Sequence, residues 1–333
     1  MARALLLLTV LVGGCGSPSE SMDASVGDLA MADLGLAPPA MLGAANSLTA
    51  CLALDDQFVY LYDEGGAGHQ IIKAPKTPGG ASSVVAIGGD QKSCVVVDDT
   101  SVYFSVSSTD ADAGTGDTIY QAAKTQTGGA ATPILTNQHV LGRLEYASGF
   151  LYWMTDVYGP GDGMFSGKDA LVRLPTGGGP VEVLFADVAP EPVGLAVDAT
   201  TVYWSDGAGV FSRPLNNTTA TPTRYGVSTI HGNAIAIDEL YLALVEISAI
   251  GMGDVATVKL DGSGRQVVST TLASAPLAAG AEGIYAKQDN HLVRFSRDGA
   301  TTTTLATAAP RALALDATAI YFTDGAALLK LAR

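Results

Sequence analysis

At seven spaced places along this 333-residue chain an aliphatic residue before a tyrosine marks a recurring phrase: Val59-Tyr60, Val102-Tyr103, Leu151-Tyr152, Val202-Tyr203, Leu240-Tyr241, Ile284-Tyr285 and Ile320-Tyr321. The steps from one Tyr to the next are 43, 49, 51, 38, 44 and 36 residues. Self-similarity with a period of about 20–50 residues means that one supersecondary unit is built repeatedly and buries its apolar face against its neighbours. The recurrence therefore restricts the chain to a solenoid, an array or a closed ring of repeats.

The content of each unit chooses among these. An apolar run and an Asp-bearing turn precede the Tyr, as in LALDDQF before Tyr60, VVVDDTS before Tyr103, LAVDATT before Tyr203 and LALDATA before Tyr321. This reads as strand, tight turn, strand. A third strand follows in HQIIKAP, TIYQAAK, ALVRLP, GVFSRPL, ATVKLDG, HLVRFSR and LLKLAR, and a fourth in ASSVVAI, TPILTN, VEVLFA, TPTRYGV, RQVVST and TTTLAT. Four short strands per unit of this length describe a propeller blade. The composition agrees: 47% of residues are hydrophobic, 15% are charged and 39 are glycine, as buried strands and tight turns require. The fold expected is all-β, a seven-bladed β-propeller, in which the recurrent Tyr and Trp fill the wedges between sheets rather than form a ligand cage.

The phrases YWSD, YWMTD and YFTD, with KLDGSGRQVV at 259–268, resemble the YWTD class of propeller repeats, and LVRFSRDG at 292–299 is similar to NHL-type repeats. That resemblance covers the whole folded body and implies packing, not an activity. YWTD propellers have six blades, whereas seven repeats are counted here, and blades 5 and 6 keep the Tyr but lose the aromatic after it. Closure also favours seven. The last unit stops after its third strand at Arg333, and PPAMLGA at 38–44 directly precedes the first inner strand. Ala40 to Ala44 is expected to return as the outer strand of the last blade, closing the ring and covering an edge.

The N-terminus reads as an export signal. Arg3 precedes a nine-residue apolar run at 4–12, too short to span a bilayer. V-G-G-C then resembles a bacterial lipobox, which implies cleavage before Cys15 and acylation of that residue. The alternative is plain secretion with Cys15 an incidental thiol. Gly16 after the cysteine, with no Asp there, resembles lipoproteins sorted to the outer membrane or cell surface. Residues 1–14 are thus assigned to a signal peptide, 15–37 to the lipidated Cys and a tether, and 38–333 to the propeller. Gly16 to Leu36 has no Lys or Arg and few bulky residues; as a flexible coil it reaches roughly 25 Å. The formal net charge of −15 opposes nucleic-acid binding.

Propellers carry the outer-to-inner crossings and the second-to-third loops on one face, and the long loops here all belong to that set: 107–118, 155–170 and 246–254. All four histidines fall there. The candidate binding residues are Arg143, Asp156, Tyr158, Phe165, His139, His231 and His291, with the loop at 157–167 bordering the channel mouth. The other reading packs Tyr158 and Phe165 on blade 3's own edge. DADAGTGD at 110–117 alternates oxygen ligands with glycine, so Asp110, Asp112 and Asp117 are candidate calcium ligands; it lacks the EF-hand spacing and terminal Glu, and a solvated turn is the alternative. No other cofactor is expected. Cys51 and Cys94 hold equivalent places four residues before Asp55 and Asp98. Export suggests a disulfide, while rotational pseudo-symmetry points equivalent side chains the same way, so both states stay open. No G-x-S-x-G, H-E-x-x-H, P-loop or zinc C-x-x-C occurs. The function expected is an exported, lipid-anchored binding or scaffolding module, a monomer whose ligand is a protein, glycan or small molecule; the alternative is an extracytoplasmic lyase or glycan hydrolase.

Overall fold

Four of the inner hairpins are closed by one local device. Asp55, Asp98, Asp198 and Asp316 each accept through Oδ1 the backbone amides two and three residues ahead, at 2.7–2.9 Å. The carboxylate satisfies turn amides that the ladder cannot reach. Its second oxygen takes the hydroxyl of the Tyr five residues on: Tyr60 and Tyr103 at 2.7 Å, Tyr203 at 3.1 Å and Tyr321 at 2.8 Å. The same side chain therefore fixes the turn and orients the buried ring.

The computed structural model describes residues 37–44, 51–63, 69–88, 94–106, 116–158, 165–188, 194–206, 209–217, 219–225, 235–238, 240–247, 253–270 and 273–333. Among them every regular element is a strand, and the strands form seven four-stranded antiparallel sheets. Blade 1 runs outward through Ala53–Leu54, Phe58–Asp63, Gln70–Pro75 and Ser83–Ile87. Five further blades repeat this order, and each inner strand touches the next right round the ring. Blade 7 takes Ala312–Leu315, Ala319–Asp324 and Ala327–Ala332 from the C-terminus and Ala40–Ala44 from the N-terminus. Ala40 pairs with Lys330 and Ala44 with Ala327 across a bulge. The closing strand and the blade count are those expected from the repeat, and the count departs from the six that the YWTD resemblance implies.

Side-chain alternation explains the Tyr-aromatic phrase. Neighbouring strand residues point to opposite faces. In blade 4, Tyr203 enters the core shared with blade 5, while Trp204 enters the core shared with blade 3. Tyr152 likewise faces blade 4 and Trp153 faces blade 2, and Tyr321 faces blade 1 while Phe322 faces blade 6. Each seam between blades thus has its own apolar layer, and in six of the seven a Tyr from one side meets the residue after the Tyr from the other. Blade 6 has only Ala286 at the second position, and Phe295 from its third strand fills the same layer. Tyr60, Tyr103, Tyr152, Tyr285 and Tyr321 are all buried, as the wedge role requires.

Cations cross the seams on the hairpin face. The residue just after a third strand donates its amide to a hairpin carbonyl of its own blade, as Lys76, Lys124, Thr176, Leu215, Leu260 and Arg333 all do. From that place Lys124 of blade 2 reaches Asp55 of blade 1 at 2.9 Å, and Lys76 of blade 1 reaches Asp316 of blade 7 at 2.7 Å. Arg333 donates to Tyr285 of blade 6 at 3.2 Å, and Arg297 pairs with Asp238 of blade 5. Each cation also lies over the Tyr ring of the preceding blade, about 5 Å from its centroid. The blade 1–2 seam is further stitched by backbone bonds from Ile87 to Gly129 and from Gly128 to Val84, which cover the outer edge of blade 1.

Candidate functional site

The inner strands line the channel, and most are short and apolar. Blade 3 differs. Its inner strand, Leu141–Ala147, reads LGRLEYA, and it is bulged. Leu141 pairs with Met154, but the next pair is Glu145 with Tyr152, so the inner strand carries extra residues against its neighbour. Gly142 takes φ +71° within that bulge, a conformation that suits glycine. Bulges of this kind re-aim side chains. Here the bulge presents Arg143 and Glu145 to a cavity of about 250 Å³, which is also lined by Tyr146, Cys51 and Cys94. Arg143 Nε lies 2.6 Å from Glu145 Oε1. Burial pushes the Glu145 carboxyl above its ordinary range, and the adjacent Arg143 charge opposes the shift only in part.

Cys51 and Cys94 are joined by a disulfide, with Cα atoms 5.2 Å apart and a sequence separation of 43. Both residues precede the regular part of their inner strands, Ala53–Leu54 and Val96–Val97, so pseudo-symmetry does not govern their directions. The bond forms one wall of the channel cavity.

A second cavity, of about 530 Å³, opens between blades 1 and 2 on the hairpin face. Its lining includes Asp56, Phe58, Lys73, Asp99 and Thr125, and it shares Leu54, Val97 and Tyr146 with the channel cavity. Asp55 and Lys124 form one side. Burial alone would raise the Asp55 carboxyl, but the Tyr60 hydroxyl, the Lys124 ammonium and the turn amides hold it at about 2. Tyr103, desolvated and bonded to Asp98, is pushed up to about 12.

The residues singled out from sequence fall in several places. Arg143 is in the channel. Asp156 pairs with Asp169 and Tyr158 with Phe165, so the latter two stand opposite each other at the end of blade 3's long second-to-third hairpin. His139 is half-buried just before blade 3's inner strand, and His291 pairs with Gln288 at the corresponding hairpin of blade 6. Neither histidine lines the two cavities above. Asp117 is buried and accepts the Val140 amide at 2.8 Å, tying blade 2's third strand to the crossing into blade 3. Cys15, Asp110, Asp112 and His231 lie outside the described residues, as does the tip of the blade 3 loop. Among the described residues no three His, Cys, Asp or Glu side chains converge as a metal set. Glu145 and Tyr146 were not singled out from sequence. Their signal was the charged pair in LGRLEYA, where other inner strands read LALD, VVVD or LAVD.

No protein-family model matches the chain, and no curated protein matches it. Solved structures do. The WD40 β-propeller domain of Doa1 aligns with a TM-score of 0.60 at 12% identity, over 89% of this chain and 95% of that one. An oligogalacturonate lyase in complex with manganese aligns at 0.61 and 11%, over 87% and 89%. PorZ, a bacterial surface component of the type-IX secretion system of Porphyromonas gingivalis, aligns at 0.59 and 12%, over 88% of this chain and 37% of that one. At such identities the likeness is one of fold, and the fold is the seven-bladed β-propeller.

Proposed function

We propose that this chain is an exported, lipid-anchored β-propeller that serves as a binding or scaffolding module in the cell envelope. The observation that carries this reading is the Cys51–Cys94 disulfide, a bond that persists in oxidising compartments and is rare in reducing ones. It agrees with the Arg3, apolar-run and Cys15 pattern of the N-terminus, in which residues 1–14 are removed, Cys15 is acylated and 16–37 form the tether. The similarity to PorZ, a bacterial surface component, lends the envelope assignment modest support. A ring latched at successive seams offers a rigid frame, and blade 3's extended hairpin rises from it next to the channel strand that carries Arg143.

The test is localisation followed by capture. Cys15→Ser should move the protein from the membrane fraction to the soluble fraction, and unchanged membrane association would overturn the anchor. A partner captured from envelope extracts by the full chain should be lost on deleting residues 157–167. Retention by an intact deletion variant would remove that loop from the binding surface.

One observation favours a catalytic alternative, a lyase or glycan hydrolase. Glu145 is a carboxyl raised by burial that faces a channel cavity, which is how proton donors are tuned. Turnover of an acidic oligosaccharide that disappears in Glu145→Gln would favour it over the binding module.

A further inference from the structure

We propose that the channel cavity beside the Cys51–Cys94 bond binds a small carboxylate, with Arg143 as the anchoring cation and Glu145 as its resident competitor. The inference deepens the binding-module reading by giving the site a ligand class. Three features of the cavity point the same way.

The first is placement. Arg143 reaches the channel because blade 3's inner strand is bulged around Gly142, whereas the strands facing it from blades 1 and 2 contribute Leu52, Ala53, Val95 and Val96. Apart from Arg143 and Glu145, the walls carry no formal charge. Arg143 is therefore the one cation among the residues that line the cavity, and an anion entering there has a single positive partner.

The second is unused capacity. A guanidinium offers five N–H donors in a fork that matches a carboxylate edge-on. In this structure Glu145 approaches Nε, and among the described residues no other side chain engages Arg143. The Arg143 side chain remains 38% exposed, so the terminal part of the fork is open to the cavity. A second carboxylate can dock there, or displace Glu145.

The third is charge and size. With Glu145 displaced, the single cation balances a single negative charge on the ligand, while the chain as a whole carries −15. A monocarboxylate, or one end of a longer acid, fits that balance better than a phosphate dianion does. A cavity of about 250 Å³ holds a ligand of a few heavy atoms.

The competitor role gives the idea a distinctive test. If Glu145 occupies the cation in the empty state, removing its charge frees Arg143. Binding of acetate and of succinate to the full chain, followed by calorimetry at low ionic strength with inorganic phosphate as control, should show carboxylate binding. Glu145→Gln should bind at least about fivefold more tightly, and Arg143→Gln at least about tenfold more weakly, since charge-assisted Arg–carboxylate bonds dominate such sites. Arg143→Lys should recover only part of the affinity, because it keeps the charge and loses the fork. Weaker or unchanged binding in a folded Glu145→Gln would overturn the proposal. So would carboxylate binding that survives Arg143→Gln, absence of binding in both wild type and Glu145→Gln, or a preference for phosphate. Should Arg143→Gln fail to fold, the Glu145→Gln comparison still decides. Localisation of Cys15→Ser is read separately, so failure of the envelope assignment and failure of this site are distinguishable.

Discussion

Asp55 shows how much one hairpin residue holds together. Its carboxylate accepts two turn amides and the Tyr60 hydroxyl, and it receives the Lys124 ammonium from the next blade. Asp55→Asn keeps an acceptor for the turn but removes the charge that Lys124 and Tyr60 address. The sign of the pH effect follows from the depressed folded value of about 2. Stability from this group is fully present above the unfolded value of about 4 and is lost as pH falls through the folded one. Denaturation followed from pH 5 to pH 2 should therefore show a shallower acid loss in Asp55→Asn than in wild type, with the variant weaker by on the order of 2 kcal/mol at neutral pH. Equal slopes would show that Asp55 does not couple folding to protons. Part of this was legible. The turn role of Asp follows from residue type alone, and the spacing from Asp to Tyr recurs identically at 55/60, 98/103, 198/203 and 316/321. The Lys partners were not legible, because Lys124 lies in another blade and Lys76 reaches Asp316 across the ring closure.

At the scale of the blade, the alternation of Tyr and the following residue sets the energetics of each seam. Trp153 is wholly buried between blades 2 and 3, so Trp153→Ala should cost about 3–5 kcal/mol through the cavity it leaves. Blade 6 supplies the opposite test. Ala286 is buried against Phe295, and Ala286→Phe, which restores the aromatic that other repeats carry, should destabilise by about 1–3 kcal/mol through overpacking. Chemical denaturation of both variants checks the pair. The cross-seam cations make a third case. Thr176 of blade 3 occupies the place that Lys124 and Lys76 hold in their blades, so Asp98 faces a threonine where Asp55 and Asp316 face lysines. Thr176→Lys should add a pair with Asp98 and raise stability by about 0.5–1 kcal/mol, an increment that shrinks in high salt. No gain at low salt would refute the equivalence. The wedge aromatics were readable because alternation is local. Blade 3's bulge was visible only as a charged pair in an otherwise apolar position, and residue order alone does not say which way a bulge turns its side chains.

For the molecule as a whole, the ring and its closing strand were legible because a repeat missing one strand at its end and a spare strand at its start have few other uses. The candidate site was much less so. Channel residues come from blades 1, 2 and 3, and only the packing of these blades side by side brings Arg143 into one cavity with Cys51 and Cys94. Closure by Ala40–Ala44 also separates the two partners of the final sheet by almost the full chain, since Ala40 meets Lys330. Contacts between remote positions slow folding more than they alter the final stability. A circular permutant that carries residues 37–44 after Arg333 should refold faster than the native order in stopped-flow measurements, at similar equilibrium stability; identical refolding rates would place the slow step elsewhere. In the native order, the first strand to leave a ribosome or a translocation pore is the last to be used. Until residues 327–332 emerge, blade 7 has no sheet for it to join. A propeller of this design therefore spends the whole of its delivery with a strand waiting, and the interval is set by the speed of delivery rather than by the finished ring.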